Sequence, residues 1–164
     1  MFLRLLRRLD FTKLWQLMGF AIKRPMAMIQ TFKATRECMR MCDAEYGRSH
    51  HLHNRANAVR HALWNFLIAQ KVTGSKDKIM AAVAWAEKIT NWHEEFSVNM
   101  TTEKAMDLHN NKIGRNLFVT LPTKTATYVM GYLQELATKA IQINAPEDIT
   151  ASETRLVFIS EEHV

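Results

Sequence analysis

Apolar side chains recur along this chain at three- and four-residue intervals, and the breaks in that rhythm fall at residues that start or stop helices. Residues 2–9 set Phe2, Leu3, Leu5, Leu6 and Leu9 among Arg4, Arg7 and Arg8. That segment is too short to hold as an isolated helix, and it has the basic, two-faced character of one lying on a surface. Asp10 or Thr12 can cap a second run carrying Leu14, Trp15, Leu17, Met18 and Ile22. Pro25 suits the first turn of a third helix, expected to reach Tyr46 and stop at Gly47. The polar stretch 48–55 (RSHHLHNR) reads as a solvated loop in which His50, His51 and His53 do nothing special.

Beyond that loop, Ala58, Leu63, Trp64, Phe66, Leu67 and Ile68 define a helix from about Asn54 to Val72, ended by Gly74. Ser75 caps the next, Lys76 to Glu95, with Ile79, Met80, Val83, Ala86, Ile89 and Trp92 directed inward. Thr101 and Thr102 open a helix through Phe118, and Thr123 opens the last long one, to about Ile143. One β-prone run, Leu156 to Ile159, follows as a short strand or extended strap. The expected fold is all-α: a single bundle of five to six helices over residues 25–143, with a basic amphipathic arm at 1–24 and an extended tail at 144–164. The methionines, Trp64, Trp85 and Trp92 are read as core, and Trp15 as a residue for a lipid interface.

Composition adds one fact to this pattern, which is where the charge lies. The 164 residues carry 22 Lys and Arg against 16 Asp and Glu. Nine of the basic residues but only Asp10 and Glu37 among the acids fall within residues 1–40, so the excess of positive charge belongs to that end alone. An anionic membrane surface contacted through residues 1–24 is the expected partner. Nucleic acid is not expected, because leucines interleave the arginines and no nucleic-acid-binding motif is present. Leu14–Ile22 is about half the length of a bilayer span and contains Gln16, and Lys23, Arg24 and Pro25 replace a signal-peptidase site. Cys38 and Cys42 match neither a CxxC pair nor a disulfide spacing. Reduced thiols in a cytoplasmic protein, peripheral on the inner membrane, are the resulting expectation.

Three helices place ligand-type side chains beside their apolar stripes. Asn57, His61 and Asn65 are successive i, i+4 neighbours on a helix otherwise built for burial. His93 is followed by Glu94 and Glu95 near a helix end, and Asp107 groups with Asn110, Asn111 and Gly114. A mid-helix glycine costs about 1 kcal/mol relative to alanine unless a close neighbour needs the space. His61, His93 and Asp107, with Glu94 and His109 in reserve, form a ligand set for a divalent metal such as zinc or manganese. Asn57, Asn65 and Asn111 would support it. In a metal-free variant, His61 or His93 is the general base and Asp107 fixes its tautomer. A third reading makes the whole network structural, locking helices in register.

These segments, NAVRHALWN at 57–65, WAEKITNWHE at 85–94 and MDLHNNKIGR at 106–115, resemble a family of small bacterial helical proteins carrying a domain of unknown function. The resemblance extends over roughly residues 25 to 118, including the ATRECMRMCDAEYGRSHH stretch. Related domains sit at the ends of larger secreted or toxin-like bacterial proteins, which implies a hydrolytic activity. A fainter likeness links Arg60-His61 and Asp107 to bacterial phospholipases of the helical His-Asp type. Ala62 stands where those enzymes have a calcium-binding aspartate, and no glycine-rich calcium loop precedes it, so no calcium site is carried over. The leading expectation is a hydrolase of phosphoesters or lipid esters at a membrane surface, with Arg60 and Arg115 neutralising phosphate. The alternative is a non-catalytic, membrane-peripheral interaction module.

Overall fold

The computed structural model describes residues 11–74, 78–95, 100–152 and 154–161. The leucine- and arginine-rich segment 2–9 and the Ser75 cap lie outside them. Six helices follow in order: α1 (Phe11–Lys23), α2 (Pro25–Tyr46), α3 (Arg55–Thr73), α4 (Ile79–Glu95), α5 (Thr101–Thr120) and α6 (Ala126–Thr138). The fold is an all-α bundle around α3, which packs against α2, α4, α5 and α6. Its sequence explains that position, because Ala58, Val59, Ala62, Leu63, Phe66, Leu67, Ile68 and Ala69 are all fully buried and leave α3 no broad polar face.

Capping follows the local chemistry. The Asn54 side chain accepts the Asn57 backbone N–H at the start of α3, and the Thr125 side chain accepts that of Tyr128 at the start of α6. Gly47 and Gly74 take positive φ after α2 and α3, where a side chain would be strained. Two threonines of α2 fasten the bundle: Thr31 Oγ1 accepts from Trp85 Nε1 at 2.9 Å and Thr35 Oγ1 from Trp64 Nε1 at 2.8 Å. Cys38 and Cys42 are free and buried on the same helix, with Cys38 Sγ 3.5 Å from the Arg60 carbonyl oxygen. Helix α1 packs through Phe20, which meets Trp85 and Trp92 edge-on.

The structure corrects three expectations. Met18, Met26, Met80 and Met100 are exposed and not core; on α4 the buried line runs through Ala82, Ala86, Thr90 and Glu94 at four-residue steps and leaves Met80 outside. The final helix ends at Thr138, not near Ile143: the chain extends at β1 (Ile141–Gln142) and pairs in parallel with β2 (Val157–Phe158). Burial of Ile143, Val157 and Met106 in a small second core rewards that extension. The Asn110 side chain completes the arrangement, donating to the Val157 carbonyl at 2.8 Å and accepting its N–H at 3.0 Å as a third strand would. The histidine loop is not wholly solvated either, since a 3-10 turn at Ser49–His51 tucks His50 out of solvent.

Candidate metal centre

The polar line of α3 meets the polar line of α5 because the two helices approach closely at one point. A Cβ placed on Gly114 would overlap the Ala62 backbone carbonyl, so glycine is what lets these helices touch. Around that contact, α3 presents His61 and Asn65, and α5 presents Asp107, Asn111 and Arg115. Helix α4 adds Thr90 and Glu94 from the third side.

A chain of hydrogen bonds ties the helices together. Arg115 donates to Glu87 Oε1 at 3.1 Å and to Asn65 Oδ1 at 3.0 Å, with Thr90 Oγ1 3.1 Å from that same oxygen. Asn65 Nδ2 donates to Asn111 Oδ1 at 2.6 Å and to the His61 carbonyl at 3.1 Å. Asn111 Nδ2 donates in turn to Glu94 Oε1 at 3.3 Å. Burial lowers the Arg115 pKa and Glu87 partly restores it.

His61 lies at the end of this chain with its ring buried. Arg60 Nη2 is 2.7 Å from His61 Nε2, and a guanidinium can only donate, so Nε2 is the unprotonated nitrogen. Nδ1–H then points to Asn111 Oδ1 at 3.2 Å, with Glu94 Oε1 at 3.7 Å. Desolvation, reinforced by the Arg60 charge, holds the His61 pKa well below 6.5 and keeps the ring neutral. On the Nε2 side, Asp107 Oδ1 stands 3.2 Å away, which sets a lone pair against a carboxylate oxygen. One ligand atom each from His61, Glu94 and Asp107 lies within 4.8 Å of the others, and all three residues are buried. Glu94 Oε2, also buried, has no hydrogen-bond donor among the described residues. One neutral imidazole and two carboxylates are side chains of the types that could hold a zinc or manganese ion.

The sequence-selected residues therefore separate. His61, Asp107 and Glu94 converge, with Arg60 on the imidazole and Asn65 and Asn111 as supports. His93 stands beside the cluster: its ring is 43 % exposed, meets Trp64 edge-on, and holds Nδ1 3.2 Å from Glu94 Oε1. Glu94, not Asp107, is thus the carboxylate orienting His93. His109 faces elsewhere, with Nε2 bonded to the Arg155 carbonyl at 2.8 Å. Asn57 is buried near the start of α3, and its Oδ1 has no hydrogen-bond partner among the described residues. Arg115 is committed to Glu87 and Asn65. Thr90 and Glu87 were not singled out from sequence, although the Ala82, Ala86, Thr90, Glu94 spacing carried a signal: small residues at four-residue steps leading to a carboxylate.

A family model described as a domain of unknown function (DUF6973) matches residues 18–141. Comparison with curated proteins and with solved structures returns no match.

Proposed function

From a chain that belongs to the DUF6973 family of domains of unknown function, we propose a metal-dependent hydrolase of phosphoesters or lipid esters in which His61, Glu94 and Asp107 hold a divalent ion. One observation carries the reading: the His61 Nε2 lone pair and the Asp107 carboxylate face each other at 3.2 Å, beside a second buried carboxylate. Two carboxylates with ligand atoms within 4.8 Å of each other, both out of water, favour a bound cation in addition to the Arg60 guanidinium at the imidazole. A bound zinc or manganese ion lowers the pKa of its water into the neutral range.

The chain's own groups account for the remaining roles. Asn111 fixes the His61 tautomer through Nδ1, leaving Nε2 as the ligand atom. Glu94 orients His93 in the same way through Nδ1, leaving Nε2 of the half-exposed ring for the role of general base. Arg60, once Nε2 serves the ion, is available to pair with a phosphoryl oxygen.

A membrane-peripheral setting is supported by an exposed apolar stripe. Trp15 (66 % exposed), Met18 and Ile22 (75 %) on α1 continue into Met26 and Ile29 on α2. Lys13, Lys23, Arg24 and Lys33 accompany them in sequence, a pairing suited to anionic lipid. Among the described residues no helix is long and apolar enough to cross a membrane.

The interaction-module reading draws on a different observation, the saturated bonding of Asn65 to four partners on three helices. Metal analysis of the purified chain, followed by turnover of a phosphodiester and of phospholipid vesicles with Zn²⁺ or Mn²⁺, separates the two. A hydrolase retains an ion whose binding depends on Asp107, and loses at least a hundredfold in rate in Asp107→Asn with its fold preserved. Absence of both retained metal and turnover overturns it and leaves the module.

A further inference from the structure

A second cluster of metal-type ligands lies at the end of α2, away from the buried centre. Asp43 Oδ1 is 2.8 Å from His50 Nε2, and the His50 and His51 rings pack at 4.1 Å between centroids. Ligand atoms from all three lie within 4.8 Å of one another. Their exposure is graded: His50 is fully buried, whereas Asp43, 58 % exposed at its side chain, and His51 open to solvent. A buried anchor flanked by two accessible donors is a form an ion can enter without unfolding anything.

We propose that Asp43, His50 and His51 form a second divalent-cation site, with two imidazoles and one carboxylate selecting an ion of the zinc class over magnesium or calcium. The chemistry of the donors decides that preference, since imidazole suits zinc, copper and nickel, and hard cations need oxygen ligands. Coordination through His50 Nε2 moves the hydrogen of that ring to Nδ1, which has no other hydrogen-bond partner among the described residues, and Asp43 Oδ1 then faces the ion. Three protein donors leave a fourth position for water or another ligand.

The site's location gives it a structural role. Ser49, in the same 3-10 turn, accepts from Asn54 Nδ2 at 2.8 Å, and Asn54 caps α3, the helix that carries His61. The His53 carbonyl accepts the N–H groups of Ile159 at 2.8 Å and Ser160 at 3.1 Å. An ion bridging Asp43 and the two histidines therefore ties the end of α2 to the cap of α3 and to the tail.

This site does not depend on the hydrolase reading, and its test is separate. Zn²⁺ is titrated into the full chain while imidazole ¹⁵N resonances are followed and affinity is measured by chelator competition. The expected result is movement of the His50 and His51 ring signals at micromolar free Zn²⁺. His51→Ala and Asp43→Asn, both surface changes, should each weaken this binding at least tenfold, with His53→Ala as the unaffected control. Unmoved His50 and His51 resonances, or unchanged affinity in both variants, overturns the proposal whatever the inner centre does.

Discussion

Gly114 of α5 rests directly on the backbone carbonyl of Ala62 in α3, one residue after His61. The obstacle to any side chain at that point is main chain, which cannot rotate away. Gly114→Ala is accordingly expected to destabilise the protein by about 3 kcal/mol, the upper end for overpacking, in contrast to the gain alanine normally brings to a helix interior. Urea unfolding measures the loss. Because the same contact positions His61 against Asp107, metal affinity should fall with it, whereas Gly131→Ala, inside α6 with open space around it, should leave metal affinity unchanged and raise stability by up to about 1 kcal/mol.

The depressed pKa of His61 has a defined signature in stability. In chelator-treated protein, the native ring stays neutral below pH 6.5 while the unfolded chain takes up a proton. Stability due to this group is therefore present above the unfolded value and declines as pH falls through it, at up to about 1.4 kcal/mol per pH unit. Urea midpoints at about pH 5.5 and pH 7.5 should differ more in the wild type than in His61→Asn, which has no proton to gain. Equal differences would show that the ring is not held neutral.

Asn110 offers a test of the tail that leaves the metal centre in place. Its amide satisfies both backbone groups of Val157, so Asn110→Ala strands a buried N–H and a buried C=O at a cost of about 1–3 kcal/mol. Hydrogen exchange at the Val157 amide should accelerate strongly, with exchange in α3 little altered.

For the exposed stripe, the expected result is a blue shift of tryptophan emission on addition of anionic vesicles, absent in Trp15→Phe. Trp15→Ser and Ile22→Ser should each reduce partitioning about tenfold, the loss of one large apolar side chain from the interface. Partitioning that ignores both substitutions would remove the membrane from the account.

How far the sequence discloses these features depends on the range of the forces involved. The helices were legible because their signals are local: Pro25, Gly47 and Gly74 punctuate the chain, and α3 is apolar on nearly every face. Asn57, His61 and Asn65 stood out because a polar line on such a helix needs partners. What remained hidden was which side chains of α4 faced them. His93 and Glu94 are adjacent, and a rotation of 100° decides between them, so the choice rested on packing of α4 against α3 and α5. His109 and Asn110 were indistinguishable from Asp107 and Asn111 until the tail arrived to occupy them. The extended segment at 141–143 was likewise invisible, because its reward comes from contacts made with residues 156–158.

The two thiols on α2 acquire a use from their position. Cys38, seated against the Arg60 carbonyl, and its neighbour Cys42 are shut off from solvent by the same contact that covers the back of the His61 helix. An alkylating reagent can reach them only when α2 lifts from α3, so the rate at which the native protein is labelled becomes a clock for that breathing. The molecule thus carries its own reporter, independent of any activity, for how often the seam between these two helices parts.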